Sequence, residues 1–237
     1  MKNSINDFGI RILTKAIGAL INLTSLALFV EACKVGDTGI KELTTTIRHL
    51  TKLTRLKISL EDNTITDSGV YALAEVIGEL TELTSLTVNL VMNNIGDAGA
   101  CALAKAIGKL KRLTSLTLDL GGNNIEAFGA KAIEDAIGRL SELSSLIINL
   151  WGNYVGNSGA CALAEAISKL KSLTRLTIYL GQSGIGASGV RAIVDSLRTL
   201  TRLMTLEIDV RWNSIRDSDR EMLVALEKLF PFARILC

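Results

Sequence analysis

The sequence predicts an α/β solenoid, in which copies of one strand–turn–helix unit stack side by side, with strands on one wall and helices on the other. Two observations carry this prediction. Leucine recurs at every thirtieth position along almost the whole chain. Within each period, the apolar pattern changes from alternation to the wider spacing of a one-sided helix.

The period comes first, because self-similarity at this length marks repeat architectures. Leucine stands at 20, 50, 80, 110, 140, 170 and 200, at 23, 53, 83, 113, 143, 173 and 203, and at 26, 56, 86, 116, 146, 176 and 206. No insertion or deletion interrupts the series. Glycine keeps the same interval at 9, 39, 69, 99, 129, 159 and 189, and asparagine at 63, 93, 123, 153 and 213.

One unit, "LTSLTLDLGGNNIEAFGAKAIEDAIGRL", shows the order of its parts. Leu116, Leu118 and Leu120 alternate with polar or small residues, as in a strand. Ile125, Ile133, Ile137 and Leu140 then recur as on a helix that buries one face. Asp7, Asp37, Asp67, Asp97, Asn157 and Asp217 are expected just before each helix, where the side chain can cap its free N–H groups. The glycine two residues later lets the backbone pack closely. A unit this short cannot cover its apolar face alone. Stacking covers it, with parallel strands and outer helices, and each buried Leu, Ile or Val contributes roughly 1.5–3 kcal/mol.

The columns resemble leucine-rich repeats of the ribonuclease-inhibitor-like type, whose unit reads L-x-x-L-x-L-x-x-N-x-L, with a glycine six residues after the asparagine and then a helix. Ser115, Leu118, Leu120, Asn123, Ile125 and Gly129 take those places, and Asn153, Val155 and Gly159 repeat the end of the pattern. The resemblance implies a right-handed β/α horseshoe with the parallel sheet on the concave face and helices on the convex face. It also implies an asparagine ladder made by Asn63, Asn93, Asn123, Asn153 and Asn213, with the smaller Cys33 and Ser183 in the same column. The family's usual unit is slightly shorter than this one. The extra in–out pair here predicts a longer strand, as in repeats of unicellular eukaryotes.

The expected organisation is a single domain over 1–237. It comprises a partial N-terminal unit (1–19), seven full units (20–229) and a C-terminal cap with a short last strand (230–237). The chain opens at "NSI", matching the "NNI" that follows a strand elsewhere, so the first unit consists of its helix half, Ile5 to Gly18. The strand around Leu26 to Val30 is then expected to have an exposed edge. A longer parent chain, a lack of earlier repeats or a docked partner would each account for it. At the other end, Asp219 replaces the column glycine, Phe230, Pro231 and Phe232 interrupt the pattern, and "RIL" can form a last strand.

One stretch imitates an enzyme motif. "GIGASG", residues 184–189, fits G-x-G-x-x-G between a strand-like and a helix-like run, with Glu207 and Asp209 about 20 residues further on, which is the outline of a dinucleotide-binding turn. The repeat explains it otherwise. Gly189 belongs to the glycine column, and Gly186 shares its column with Gly36, Gly96 and Gly156; only Gly184 is particular to this unit.

No other pattern points to chemistry, and no catalytic residue, metal site, cofactor or small-molecule substrate is expected. The single histidine, His49, shares a helix-end column with Glu79, Lys109 and Arg139, and its expected place is the solvated convex surface. Cys101 and Cys161 lie two repeats apart, near or beyond about 10 Å by strand spacing, too far for a disulfide. With Cys33 and Cys237 they read as reduced residues of an intracellular, cytoplasmic protein. The start has no signal-peptide pattern, and no apolar run is long enough to span a bilayer. A net charge of +2 favours no class of partner. Lys109, Lys111, Arg112, Arg139, Lys169 and Lys171 cluster at helix ends. They read as cations complementing helix C-termini, with Arg112 between Glu82 and Glu142 and Lys105 between Glu75 and Asp135, rather than as a nucleic-acid surface.

The informative surface is the outward face of the strands. Its triplets vary between repeats while the buried columns stay nearly uniform, as expected of a framework with a tailored surface. Trp151, Tyr179, Trp212, Arg211, Asn149, Arg175 and Asp209 are the candidate partner-binding residues on the concave face, an aromatic and Arg-rich patch about 10–15 Å across by strand spacing. Such side chains are typical interface hot spots. The expected function is a non-catalytic protein–protein interaction scaffold, acting alone or as a subunit of a larger assembly. The alternative is a small-GTPase regulator, because one GTPase-activating family shares this repeat type, although no arginine finger can be assigned here.

Overall fold

The structure is a computed structural model and describes residues 6–230 and 232–237. The expectations that touch Ile5, the "NSI" opening and Pro231 lie outside the described residues. Strands and helices alternate from α1 (Asp7–Gly18) and β1 (Ser25–Phe29) through α2 (Asp37–Ile47), β2 (Arg55–Ser59), α3 (Asp67–Ile77), β3 (Ser85–Asn89), α4 (Asp97–Ile107), β4 (Ser115–Asp119), α5 (Ala127–Ile137) and β5 (Ser145–Asn149). They continue with α6 (Gly156–Lys169), β6 (Arg175–Tyr179), α7 (Ala187–Leu197), β7 (Thr205–Asp209), α8 (Asp217–Val224), α9 (Leu226–Leu229) and β8 (Ala233–Leu236). The strands form one open sheet in sequence order, β1 to β8. Each of β1 to β7 pairs in parallel with its neighbour. From β1 to β7 every strand residue faces its own equivalent in the next unit, as in Leu86 against Leu116.

The alternation in each strand sets its two faces. Leu116, Leu118 and Leu120 are fully buried between sheet and helices, while Thr117 and Asp119 are partly exposed on the helix-free face. The regular strand is five residues long. The parallel bonding nevertheless continues past it, since Leu120 N donates to Asn149 O at 2.9 Å and Gly122 N to Trp151 O at 2.7 Å. The extra in–out pair therefore lengthens the hydrogen-bonded ribbon beyond the regular strand. Thereafter the backbone turns through a left-handed position that recurs at Ala32, Asp62, Met92, Gly122, Gly152, Gln182 and Trp212, with φ between 51° and 65°.

Two columns of polar side chains tie the turns of successive units together. Asn123 Nδ2 donates to Leu90 O of the preceding unit at 2.9 Å and to Leu120 O at 3.0 Å, and its Oδ1 accepts from Ile95 N at 3.1 Å. Asn63, Asn93, Asn153 and Asn213 make the equivalent bonds. In the same column, Ser183 Oγ donates to Leu150 O and Gly181 O.

The aspartate column differs from the local expectation. Asp67 Oδ1 accepts from Gly96 N at 2.8 Å and Gly99 N at 3.0 Å, and Asp97 Oδ1 from Glu126 N at 2.8 Å and Gly129 N at 2.9 Å. Each of these side chains caps the helix of the next unit, not its own. A side chain placed directly above the next unit's first turn reaches its free N–H groups better than it reaches back to its own. This also explains the column glycine. A Cβ at Gly99 would stand 2.6 Å from Asp67 Oδ1 and 2.9 Å from Ile95 Cγ2. Where α7 begins with Ala187 instead of an acid, the next unit carries Asp219 instead of glycine. Its carboxylate is fully buried beside Arg191 and Arg216.

Candidate functional site

With helices covering one side of the sheet, the free surface is the other side and the turns that follow it. Parallel register places Asn149, Tyr179 and Asp209 in one row across β5, β6 and β7. Trp151, Gly181 and Arg211 form the next row along, and Gly152, Gln182 and Trp212 the row after that. Arg175 begins β6, at the opposite end from Tyr179, which is about 13 Å along a strand. The structure thus brings Trp151, Tyr179, Asn149, Asp209, Arg211 and Trp212 to one end of the strands and leaves Arg175 at the other.

Glycine lets the largest of these side chains lie flat. The Trp151 indole covers Gly181, where a Cβ would meet Trp151 Cδ1 at 2.7 Å. Both polar atoms of Asn149 are engaged: its Nδ2 donates to Asp119 at 2.7 Å, and its Oδ1 accepts from Trp151 N at 2.8 Å. Asp209, expected as an outward contact, is only 6% exposed and accepts a two-pronged bond from Arg211, Nε to Oδ1 at 3.0 Å and Nη2 to Oδ2 at 2.6 Å. Burial acts to raise its carboxyl, but the Arg211 hydrogen bonds and charge outweigh that and hold it below the usual carboxylate range. Arg211 also lies over the Trp212 ring, 4.8 Å from its centroid. Burial, and then the neighbouring Glu207 carboxylate, raise the Tyr179 phenol, while Glu207 itself pairs with Arg234 at 3.1 Å. Burial likewise raises Asp119, against the lowering pull of its bonds to Gly121 and Asn149.

Trp151, Gln182 and Trp212 line an open cleft of about 410 Å³. Trp212 remains 67% exposed. Gln182 escaped the sequence reading, although a signal existed. Its column contains Gly122 and Gly152, which marks a left-handed position whose occupants project from the turn.

The other candidates have structural places. In the G-x-G-x-x-G stretch, Asn157 Oδ1 accepts from Gly186 N at 2.9 Å and Gly189 N at 3.0 Å, so the N–H groups that would cradle a phosphate are taken by the preceding unit. His49 is exposed. The four cysteines are free thiols. Among the described residues, no cluster of His, Cys, Asp or Glu is suited to a metal ion, and no helix is long and apolar enough to cross a membrane. Of the basic residues at helix ends, Arg112 pairs with Glu82 and Lys169 with Glu165. Lys111 and Lys171 reach the carbonyls of Arg139 and Thr199, just past the helices of the next unit. Among the described residues, no ion pair joins Lys105 to Glu75 or Asp135, or Arg112 to Glu142.

Comparison with known proteins agrees with the architecture. A family model described as "Leucine Rich repeat" matches residues 48–74, 82–104 and 112–133. No curated protein matches the chain significantly. Among solved structures, "Leiomodin-1 Actin-Binding Site 2 (ABS2)" is similar at 18% identity over 70% of this chain and 82% of that one, with a TM-score of 0.44, a likeness too weak to bear on function. With its recurring leucine columns and, among the described residues, eight parallel strands in one unclosed sheet, the chain is an α/β solenoid of stacked repeats, three stretches of which match the leucine-rich repeat model.

Proposed function

We propose that this protein is a non-catalytic scaffold that binds a protein partner on the helix-free face of its sheet, at the end of β5 to β7. Its repeats, on this reading, are of the ribonuclease-inhibitor-like type in a lengthened form. The four free thiols accord with a reducing, cytoplasmic setting. The observation that carries the reading is the contrast between the two sides of each strand. The buried columns are nearly uniform, whereas the outward rows diverge and gather both tryptophans of the chain beside Tyr179 and Arg211. Tryptophan, tyrosine and arginine dominate the energetics of protein interfaces, and the sheet holds them without cost to the core.

Of the six basic side chains at helix ends, Arg112, Lys169, Lys111 and Lys171 are engaged with carboxylates or helix-end carbonyls, which supports a protein partner over nucleic acid. The test is affinity capture from the source cell followed by binding measurements on variants. Trp151→Ala and Tyr179→Ala are expected to leave folding intact and to weaken the partner by at least ~1 kcal/mol each. Unchanged affinity in both variants would refute the proposal.

A further inference from the structure

The cleft between Trp151 and Trp212 narrows the chemistry of what it accepts, and this inference rests on the binding reading above. Three features of its surroundings matter. First, the charges on β7 and the turn after it are matched, Asp209 with Arg211 and Glu207 with Arg234, while Asp119, on the far side of Asn149, accepts from Asn149 and Gly121 N. Each pair already neutralises its own charges, so a charged ligand gains less here than a neutral one with acceptors does. Second, most polar side chains around it are committed. Asn149 is held between Asp119 and the Trp151 backbone, and Asn213 bonds to the preceding turn and to its own. Third, among the described residues, neither indole N–H nor the Gln182 side chain has a hydrogen-bond partner within the protein, so the cleft offers three free side-chain groups, of which the indoles are purely donors.

A surface that is apolar, electrostatically neutral and supplied with a few donors complements a ligand with apolar faces and only acceptors. Consecutive prolines have that character. They have no backbone N–H, they present carbonyl oxygens and flat ring faces, and their extended left-handed helix is already formed before binding. Aromatic-lined grooves use this match elsewhere. We infer that the Trp151–Gln182–Trp212 cleft binds a proline-rich segment of the partner, with the rings packing on the indoles and the carbonyls accepting from Trp151 Nε1, Trp212 Nε1 and the Gln182 amide. A methylated ammonium group would need an uncommitted carboxylate beside the rings. A neutral glycan would need a denser set of free polar groups than these three.

The chain reports on this cleft directly, because Trp151 and Trp212 are its only tryptophans and both line it. Intrinsic fluorescence of the full chain is titrated with a ten-residue all-proline peptide, an equally long Gly–Ser peptide, trimethyl-lysine and a neutral oligosaccharide. The expected result is a saturable change in emission with the proline peptide alone, with affinity reduced about tenfold in Trp151→Phe and in Trp212→Phe. Both variants keep an aromatic ring and should retain the parent's melting temperature. Silence with the proline peptide up to millimolar concentration overturns the inference, as does a response to trimethyl-lysine or to the oligosaccharide in its place. If Trp151→Ala weakens the captured partner while the proline peptide is silent, the interface reading stands and this inference alone falls.

Discussion

Asn123 shows how a single side chain can hold two units in register. Its amide serves carbonyls of its own turn and of the preceding one, and its oxygen takes the Ile95 N–H, all in a buried setting. Removing it leaves several buried backbone groups unpaired, each costing about 1–3 kcal/mol. Asn123→Ala is therefore expected to lower unfolding stability by about 2–4 kcal/mol in urea denaturation. Asn123→Ser should cost less, because Ser183 makes two of the equivalent bonds at its own position. Asp119 illustrates the opposite sign. Burial raises its carboxyl in the folded protein, so its protonated form contributes stability that is present below the ordinary aspartate range and lost as pH rises through the raised value. Asp119→Asn, which keeps an oxygen to accept from Asn149, is expected to be more stable than the parent at neutral pH and to lose that advantage in acid. Asp209, held low by Arg211, contributes stability above the ordinary aspartate range that disappears as pH falls through its depressed value. Melting curves across the acid range of the parent, Asp119→Asn and Asp209→Asn distinguish the two signs.

At the scale of the element, the aspartate column caps helices from outside, one unit back, although Asn6 and Thr66 also cap α1 and α3 locally. Asp67 begins α3 but bonds to the free N–H groups that open α4. Asp67→Ala is expected to cost about 1 kcal/mol and, in amide hydrogen exchange, to accelerate the first turn of α4, one whole unit away, more than the first turn of α3. Faster exchange confined to α3 would restore the local capping scheme. The sequence showed an acid at most helix starts and a glycine two residues on, but a periodic string assigns the same column to every unit. It cannot say whether a contact closes within one unit or crosses to the next. Ala187 followed by Asp219 hints at a contact between units, but Ala127 followed by the usual Gly159 shows that the two columns do not change together throughout. Strand faces were easier to read. Alternation has only two outcomes, and the columns of leucine, isoleucine and valine chose the buried one, so Leu116, Leu118 and Leu120 fell inside as expected.

Across the whole molecule, parallel strands follow one another without crossing, and stability is spread over many equivalent interfaces. Such a frame tolerates change on its open face, so Trp151→Ala is expected to shift the melting temperature little while weakening the partner. The period made the architecture legible, and it also exposed the dinucleotide-like turn as part of the repeat. The binding end was legible only in outline. Row membership follows from register, and the glycines in its column and the four-residue offset along β6 were there to mark Gln182 and Arg175, but the Asp209–Arg211 pairing depends on side-chain geometry that the repeat pattern does not encode. The most direct test of a partner seated on the helix-free face is hydrogen exchange of the chain with and without the captured protein. Protection at the ends of β5, β6 and β7 and in the turns at Trp151, Gln182 and Trp212, with the outer helices unchanged, is the predicted result. Protection confined to the helices would contradict it.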